Sequence, residues 1–182
     1  MKKVNIIIGR FQPFTKGHYK CVEEAWRVKN LPTIICMIDT PESKLDEKHP
    51  FTSEMLINLY GDMFEKDKLI EKIVLIKSAD IVKIAEIIGD KYQIAALTCG
   101  TDRVEAYSKF AKYKEQAHLA DDFEVIEVKR SDEDVSATKA RQALIDDDRM
   151  EFLKLVPKIS LSARLKNDLF AILREQILKI VK

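Results

Sequence analysis

Residues 4–18 read VNIIIGRFQPFTKGH and decide the fold. The apolar run at residues 4–8 has the length of a strand, and it breaks at Gly9 into a loop that enters a helical pattern at Gly17. Near-continuous apolar runs are typical of parallel strands that are covered on both faces. Four more such runs follow, at residues 33–38, 72–76, 94–99 and 123–128. The chain therefore reads as a succession of buried parallel strands.

Helical patterns separate these strands. Apolar residues recur every three or four positions in four segments, at residues 17–29, 53–65, 80–88 and 103–118. We predict helix N-caps at Ser53, Asp80 and Asp102. The alternation of strand and helix predicts an α/β fold with a doubly wound, parallel, five-stranded Rossmann-like sheet. Ligands of such sheets bind beyond the carboxyl ends of the strands.

After the fifth strand the pattern is helical only, over residues 137–145, 149–156 and 160–182. An apolar stripe runs along the last helix through Leu161, Leu165, Leu169, Ile172, Leu173, Ile177 and Ile180. We predict one domain over 1–157 and a C-terminal helical extension over 158–182. This helix would pack on the domain or on a neighbouring subunit, and its apolar stripe favours a homo-oligomer.

Composition excludes several classes of protein. The 182 residues carry 31 basic and 30 acidic side chains, a net charge of +1, so nothing indicates binding to nucleic acid or to an anionic membrane. Three widely separated cysteines argue against a zinc site and against a disulfide framework. There is no secretory signal and no run of membrane-spanning length. We therefore expect a cytoplasmic protein.

The loop over residues 9–18 has the composition of an anion site. Gly9 would let the backbone turn off the strand, and the helix that starts at Gly17 would offer free N–H groups. Arg10, Lys16 and His18 add side-chain donors. A phosphate chain is the natural ligand for this set. By composition alone, an ordinary loop with solvated basic residues is an equal alternative.

GRFQPFTKGH resembles the first motif of the HxGH nucleotidyltransferase superfamily, and GRFQPF is similar to the nicotinamide mononucleotide adenylyltransferases of the archaeal type. The resemblance implies that His18 contacts the α-phosphate region of a nucleotide in the transition state and that Arg10 holds phosphates. Thr15 stands at the first histidine of HxGH, in a TxGH version that also resembles the phosphopantetheine adenylyltransferases. A threonine hydroxyl donates a hydrogen bond but supplies no positive charge.

Three further loops match the same superfamily in chain order, so the resemblance covers residues 4 to about 157. His49-Pro50-Phe51-Thr52 is similar to its NPFT segment, although Met55 and Leu56 replace the ER that usually follows. The segment Gly100-Thr101-Asp102 resembles its G-[ST]-D, where Asp102 also suits an N-cap. The segment 135–141, VSATKAR, resembles its ISSTxxR, which grips the β- and γ-phosphates.

The predicted site combines these segments. The resemblance implies catalytic roles for Arg10, Thr15, Lys16 and His18. Nucleotide or phosphate contacts are predicted for Gly9, Phe11, Gln12, Gly17, Gly100, Thr101, Asp102, Ser136, Thr138 and Arg141. Weaker acceptor contacts are predicted for Pro50, Phe51, Thr52 and Arg103. Asp132 and Asp134 are candidates for a ribose or a hydrated Mg²⁺, and no protein side chain is predicted to hold a metal directly.

The resemblance implies transfer of AMP from ATP, with Mg²⁺, to nicotinamide mononucleotide, giving NAD and pyrophosphate. Three alternatives stay open. The same scaffold could form NAD by joining nicotinamide to ADP-ribose pyrophosphate, because the products are identical. The acceptor could be another phosphorylated compound, with ATP or CTP as donor. The chain could also bind nucleotides without catalysis.

Overall fold

A computed structural model describes residues 1–129, 136–157 and 162–182. Its sheet has five strands, all parallel, in the order β3-β2-β1-β4-β5. The strands are β1 Lys2–Gly9, β2 Thr33–Ile38, β3 Ile70–Ile76, β4 Tyr92–Gly100 and β5 Leu119–Val128. The helices are α1 Lys16–Lys29, α2 Ser53–Phe64, α3 Ile81–Ile88, α4 Thr101–Ser108, α5 Ser136–Ile145, α6 Arg149–Leu155 and α7 Ala163–Ile180. The predicted Rossmann-like α/β fold is confirmed.

The strand order reverses at β1, which pairs with β2 on one side and with β4 on the other. The carboxyl ends of β1 and β4 therefore lie side by side at the topological switch point, the place where open α/β sheets bind ligands. Gly9 ends β1, paired with Met37, and Gly100 ends β4, paired with Val128. Both predicted glycines thus stand at the expected edge of the sheet.

Residues 1–9, 20–38 and 68–131 form one compact unit, the sheet unit. The side chains of Val4 and Ile6 on β1 are buried in a core that they share with α3 and the neighbouring strands. Asn5 is also fully buried, and its Nδ2 donates to the carbonyl oxygens of Leu31, at 2.8 Å, and Ala25, at 3.3 Å. This buried amide ties β1 to the end of α1 and to the loop that leads into β2.

Residues 10–19, 39–67 and 132–182 form a second compact unit, the loop unit. It contains the segments after β1 and β2 and all three C-terminal helices. The predicted apolar stripe of α7 is partly correct, because Leu169, Leu173 and Ile177 are buried but Leu165 and Ile172 are 37% and 40% exposed. Phe170 is buried instead, against Phe152 of α6 at 5.6 Å between ring centroids. Leu161 lies outside the described residues.

Two of the three predicted N-caps are wrong. Asp80 caps α3 as predicted, accepting from two backbone N–H groups. The cap of α2 is Thr52, whose hydroxyl accepts from the N–H of Met55 at 3.2 Å. Helix α4 begins directly after β4 with Gly100 as its cap, so Asp102 lies inside the first turn.

The helix predicted over 103–118 is also shorter than expected. It ends at Ser108 and continues as a short 3₁₀ helix, Lys109–Tyr113. In the part of the chain that the structure describes, no helix is both long and apolar enough to cross a membrane.

Candidate functional site

The loop that follows β1 has no regular secondary structure, yet its backbone and the side chain of Gln12 form hydrogen bonds with other segments of the loop unit. The side chain of Gln12 forms two hydrogen bonds with the backbone of Phe51. Its Nε2 donates to the Phe51 carbonyl at 2.8 Å, and its Oε1 accepts from the Phe51 N–H at 3.0 Å. Both residues are buried. The amide therefore replaces the strand pairing that these buried peptide groups would otherwise need.

Tyr60 of α2 holds the next part of the loop in the same way. Its hydroxyl accepts from the N–H of Phe14 at 2.8 Å and donates to the Phe14 carbonyl at 3.1 Å. Burial raises the pKa of the Tyr60 hydroxyl well above its usual range, so it keeps its proton. The Phe14 ring packs against both Tyr60 and Phe64, with centroid distances of 5.6 and 5.1 Å. These contacts give the loop one fixed path into α1.

Thr15 and His18 form the start of α1. Thr15 precedes the helix, and its carbonyl accepts the first helical bond, from the N–H of Tyr19 at 3.0 Å. The N–H of Thr15 donates to His18 Nδ1 at 3.1 Å, and the Thr15 hydroxyl lies 3.2 Å from the same nitrogen. The His18 side chain thus accepts from the N–H of the residue before the helix, as the third-position Glu or Gln does in a capping box. Because Nδ1 accepts, the proton of the neutral imidazole is on Nε2.

The His18 ring lies among aromatic side chains and beside the buried Thr15. The ring packs edge-on against Phe11, at 5.0 Å between centroids, and beside Phe14 at 5.4 Å. Thr15 is only 1% exposed. Its contacts with Nδ1 orient the His18 ring. The structure thus joins Thr15 to His18, both predicted as catalytic residues, through the bond from the threonine N–H to the histidine ring.

The backbone turn falls at a different residue from the one predicted. Gly9 was expected to provide it, but Gly9 remains in the strand, paired with Met37. Phe11 instead adopts a left-handed conformation, with φ of 52°. A bulky residue rarely adopts this conformation and needs its surroundings to hold it. The contacts of Gln12 and Phe14, which follow Phe11 in the loop, supply that constraint.

Arg141 on α5 is half-buried. Its Nη1 donates to the backbone carbonyl of Gln12 at 2.6 Å, and its Nη2 to Thr138 Oγ1 at 3.2 Å. Removal from water lowers the pKa of the guanidinium, whereas the charge of Asp46 acts in the opposite direction. Arg141 was predicted to reach a phosphate. The structure places its guanidinium on the backbone of the loop that leads into α1 and His18.

The loop before α2 is organised around two carboxylates. Ser53 Oγ donates to Asp39 Oδ1 at 2.5 Å and accepts from the N–H of Thr40 at 3.2 Å. Further along, Asp46 Oδ1 accepts from the N–H of His49 at 2.7 Å, and these bonds lower the pKa of Asp46. Sequence analysis did not identify Asp39, and it named Ser53 only as a helix cap. The signal available was a polar residue directly after a strand, at the ligand-binding edge of the sheet.

The predicted acceptor residues of this loop have structural partners. The carbonyl of Pro50 accepts from Gln176 Nε2 on α7 at 3.2 Å. Phe51 is fully buried, and Thr52 caps α2. Their described contacts thus shape the loop. Tyr60 was also missed, because a tyrosine on the apolar face of a helix gives no sign of which backbone its hydroxyl will meet.

The Gly100–Arg103 segment belongs to the sheet unit. The Thr101 hydroxyl donates to Glu127 Oε1 at 2.6 Å, and Asp102 Oδ2 lies 3.8 Å from Arg103 Nε. All three side chains after Gly100 are exposed. Burial, with Asp102 and Glu127 nearby, raises the pKa of the Cys99 thiol to about 11. This cysteine is therefore protonated at neutral pH and unsuited to nucleophilic catalysis.

The remaining predicted residues are placed as follows. Arg10 is exposed, and Lys16 and Gly17 open α1 with intermediate exposure. Ser136 is the first residue of α5, with Thr138 exposed one turn before Arg141. Asp132 and Asp134 lie outside the described residues. Within the described ranges, no group of three or more His, Cys, Asp or Glu side chains could hold a metal ion.

The family follows from a match that spans most of the chain. The cytidylyltransferase-like family matches residues 6–143, from β1 to α5. The chain belongs to the cytidylyltransferase-like family. The match contains the loop after β1, the PFT segment, the Gly100–Arg103 segment and Arg141. No curated protein sequence matches this cytidylyltransferase-like chain.

Solved structures resemble the chain in fold at low sequence identity. Thermotoga maritima TmcAL, bound with alpha-thio ATP, is 11% identical with a TM-score of 0.56, covering 98% of this chain and 56% of its own. Plasmodium falciparum nicotinic acid mononucleotide adenylyltransferase, complexed with NaAD, is 15% identical with a TM-score of 0.56, covering 94% and 98%.

A third structure is that of a Francisella tularensis bifunctional NMN adenylyltransferase/ADP ribose pyrophosphatase, complexed with AMP and a manganese ion. It is 18% identical with a TM-score of 0.55, covering 98% of this chain and 52% of its own. The chain thus spans about half the length of the Thermotoga and Francisella proteins.

Proposed function

We propose that this protein transfers AMP from ATP to nicotinamide mononucleotide, giving NAD and pyrophosphate. The observation that carries the proposal is the contact of the Thr15 N–H with His18 Nδ1, at 3.1 Å. The Thr15 N–H holds Nδ1, so the ring presents an N–H donor at Nε2 in the first turn of α1. A preorganised donor at a helix N-terminus suits the charge that develops during transfer of a phosphoryl group.

The reaction needs positioning and charge stabilisation rather than a protein nucleophile. A phosphate oxygen of the acceptor forms a bond to the α-phosphorus of ATP, and the bond from that phosphorus to the pyrophosphate oxygen breaks. The attacking phosphate is already an anion, so no general base is required. His18 Nε2 and the backbone N–H groups of Lys16 and Gly17 would stabilise the added charge, while Arg141 would hold the leaving pyrophosphate.

Mg²⁺ would enter with the triphosphate. Since no described cluster of acidic or histidine side chains could bind the ion, the phosphates of ATP would be its principal ligands. When bound, the ion neutralises phosphate charge. The protein residues would then bind and orient the complex.

The choice of acceptor rests on the resemblance of GRFQPF to the archaeal-type enzymes. The adenylyltransferases among the structural neighbours support the choice only at the level of fold, because their identity is 15% and 18%. Pro50, Phe51, Thr52 and Arg103 remain the proposed acceptor contacts. We further propose a homo-oligomer, because Leu165 and Ile172 leave part of the α7 stripe exposed.

The buried Thr15 favours one second candidate. Thr15 is 1% exposed and its hydroxyl lies 3.2 Å from His18 Nδ1, so the motif provides one imidazole at the α-phosphate where HxGH provides two. Formation of NAD from nicotinamide and ADP-ribose pyrophosphate does not require a second imidazole at the α-phosphate. There the ring nitrogen of nicotinamide bonds to the ribose C1′ while the bond from C1′ to the pyrophosphate oxygen breaks.

One experiment separates the two reactions. The purified protein is incubated with NAD, pyrophosphate and Mg²⁺, and the products are identified by mass spectrometry. ATP with nicotinamide mononucleotide would support the adenylyltransferase. Nicotinamide with ADP-ribose pyrophosphate would support the second candidate. If neither forms, NAD is not a product, and assays with CTP and other phosphorylated acceptors, then nucleotide binding without turnover, become the next tests.

A matched pair of variants tests the role of His18. In His18→Asn the amide oxygen can still accept from the Thr15 N–H, but the Nε2 donor is lost, so we expect kcat to fall about 10²- to 10³-fold. His118→Asn removes a half-exposed histidine from the sheet unit and should leave kcat unchanged. Equal activity of His18→Asn and wild type would exclude His18 as the transition-state donor.

A further inference from the structure

We propose that Gln12 is a positioning residue that couples the Phe51 segment to Arg141. The inference rests on the proposed function for the assignment of substrates: the Phe51 segment would serve the acceptor, and Arg141 would serve the triphosphate. Gln12 contacts both through different parts of one residue. Its side chain binds the backbone of Phe51, and its backbone carbonyl binds the Arg141 guanidinium.

The contact with Phe51 requires the side-chain amide of a glutamine. The two peptide groups need one donor and one acceptor at the same distance from the loop backbone. A primary amide supplies both, whereas an ionised glutamate only accepts and a methionine of similar size does neither. Gln12 is 5% exposed and Phe51 is fully buried, so water cannot replace a lost bond. The side chain therefore fixes where the Gln12 backbone lies.

The contact with Arg141 makes that backbone position matter. A half-buried guanidinium needs acceptors, and the described ones are the Gln12 carbonyl at 2.6 Å and Thr138 Oγ1 at 3.2 Å. Moving the carbonyl by a few tenths of an ångström would reorient the guanidinium, because its donors are fixed in one plane. The strength of triphosphate binding would then depend on a residue whose side chain faces the other substrate's loop.

The test is a double-mutant cycle that measures KM for ATP, KM for nicotinamide mononucleotide and kcat, with the Kd of ATP in Mg²⁺ measured separately. The variants are Gln12→Met, Arg141→Lys and the combination of the two. Gln142→Met is the matched control, because Gln142 is exposed on α5 and its amide donates to Asp146 at 2.8 Å. Urea unfolding of each variant reports stability independently.

We expect Gln12→Met to raise both KM and Kd for ATP about tenfold, equal to about 1.4 kcal/mol. In the Arg141→Lys background the same change should have less than about a twofold effect, because the guanidinium through which Gln12 acts is gone. Gln142→Met should leave every constant unchanged. A purely structural role for Gln12 would give equal effects in both backgrounds, which overturns the proposal, as does an unchanged Kd in Gln12→Met.

If Gln12→Met does not fold, Gln12→Glu takes its place in the cycle, because it keeps the acceptor for the Phe51 N–H and loses only the donor. The measurement of the Kd of ATP separates this inference from the proposed function. A wild-type protein that binds ATP but forms no NAD would overturn the proposed reaction, while the Kd cycle would still decide the role of Gln12. A wild-type protein that does not bind ATP would overturn both.

Discussion

Replacement of Tyr60 by phenylalanine tests whether side chains hold the loop after β1. The change removes one hydroxyl and keeps the ring, so packing against Phe14 and Phe64 is preserved. It deletes the two hydrogen bonds to the backbone of Phe14, at 2.8 and 3.1 Å, and leaves those peptide groups without this partner in a fully buried place. The loss of these two buried hydrogen bonds should lower the free energy of unfolding by about 2–4 kcal/mol.

Urea denaturation followed by circular dichroism measures this loss. With an m-value of about 2 kcal/mol/M, the midpoint should fall by about 1–2 M urea. Tyr113→Phe is the control, because it removes the hydroxyl of a half-buried ring in the sheet unit. An unchanged midpoint for Tyr60→Phe would refute the reasoning, since the loop would then be held by something other than this hydroxyl.

Three further predictions concern the sheet unit. Asp80→Ala should destabilise the protein by about 1 kcal/mol in urea, because its carboxylate caps α3, and Asp80→Asn should lose much less. The Lys2 ammonium holds the pKa of Glu71 below its ordinary 4.5, so this pair stabilises the fold above that pH and loses its contribution as pH falls through the lower folded value. The stability difference between wild type and Glu71→Gln should therefore shrink in acid unfolding curves; a constant difference would contradict the assignment. Burial raises the pKa of Cys36 to about 12 and that of Cys99 to about 11, so iodoacetamide at pH 8 should leave both unmodified by mass spectrometry until urea is added.

The strands of the sheet could be predicted because the pattern that indicates each strand lies within one short segment of the sequence. A continuous apolar run indicates each buried strand. The alternation of these runs with helical patterns is compatible with only a few topologies of a parallel sheet. The loops at the carboxyl ends of β1 and β4 followed from the same reasoning. The errors in the fold are local as well, since Thr52 and Ser53 are equally good caps by composition.

The roles of individual site residues were less accessible. Thr15 was predicted as a catalytic residue at the first histidine of the motif, and in the structure its N–H donates to His18 Nδ1. Gln12 was grouped with nucleotide contacts, and its described bonds are to Phe51 and Arg141. The observed hydrogen bonds of Thr15 and Gln12 cannot be predicted from residue spacing, because they depend on which backbone groups are buried beside these residues.

The amino-acid sequence by itself determined the α/β class, the five parallel strands and the chain positions of the loops that carry the candidate site. Tertiary structure decided which groups in those loops meet. Gln12 pairs with Phe51 over 39 residues, Tyr60 with Phe14 over 46, and Arg141 with Gln12 over 129. Hydrophobic periodicity encodes burial along a segment, whereas the partner of a buried polar group is set only when distant segments pack together.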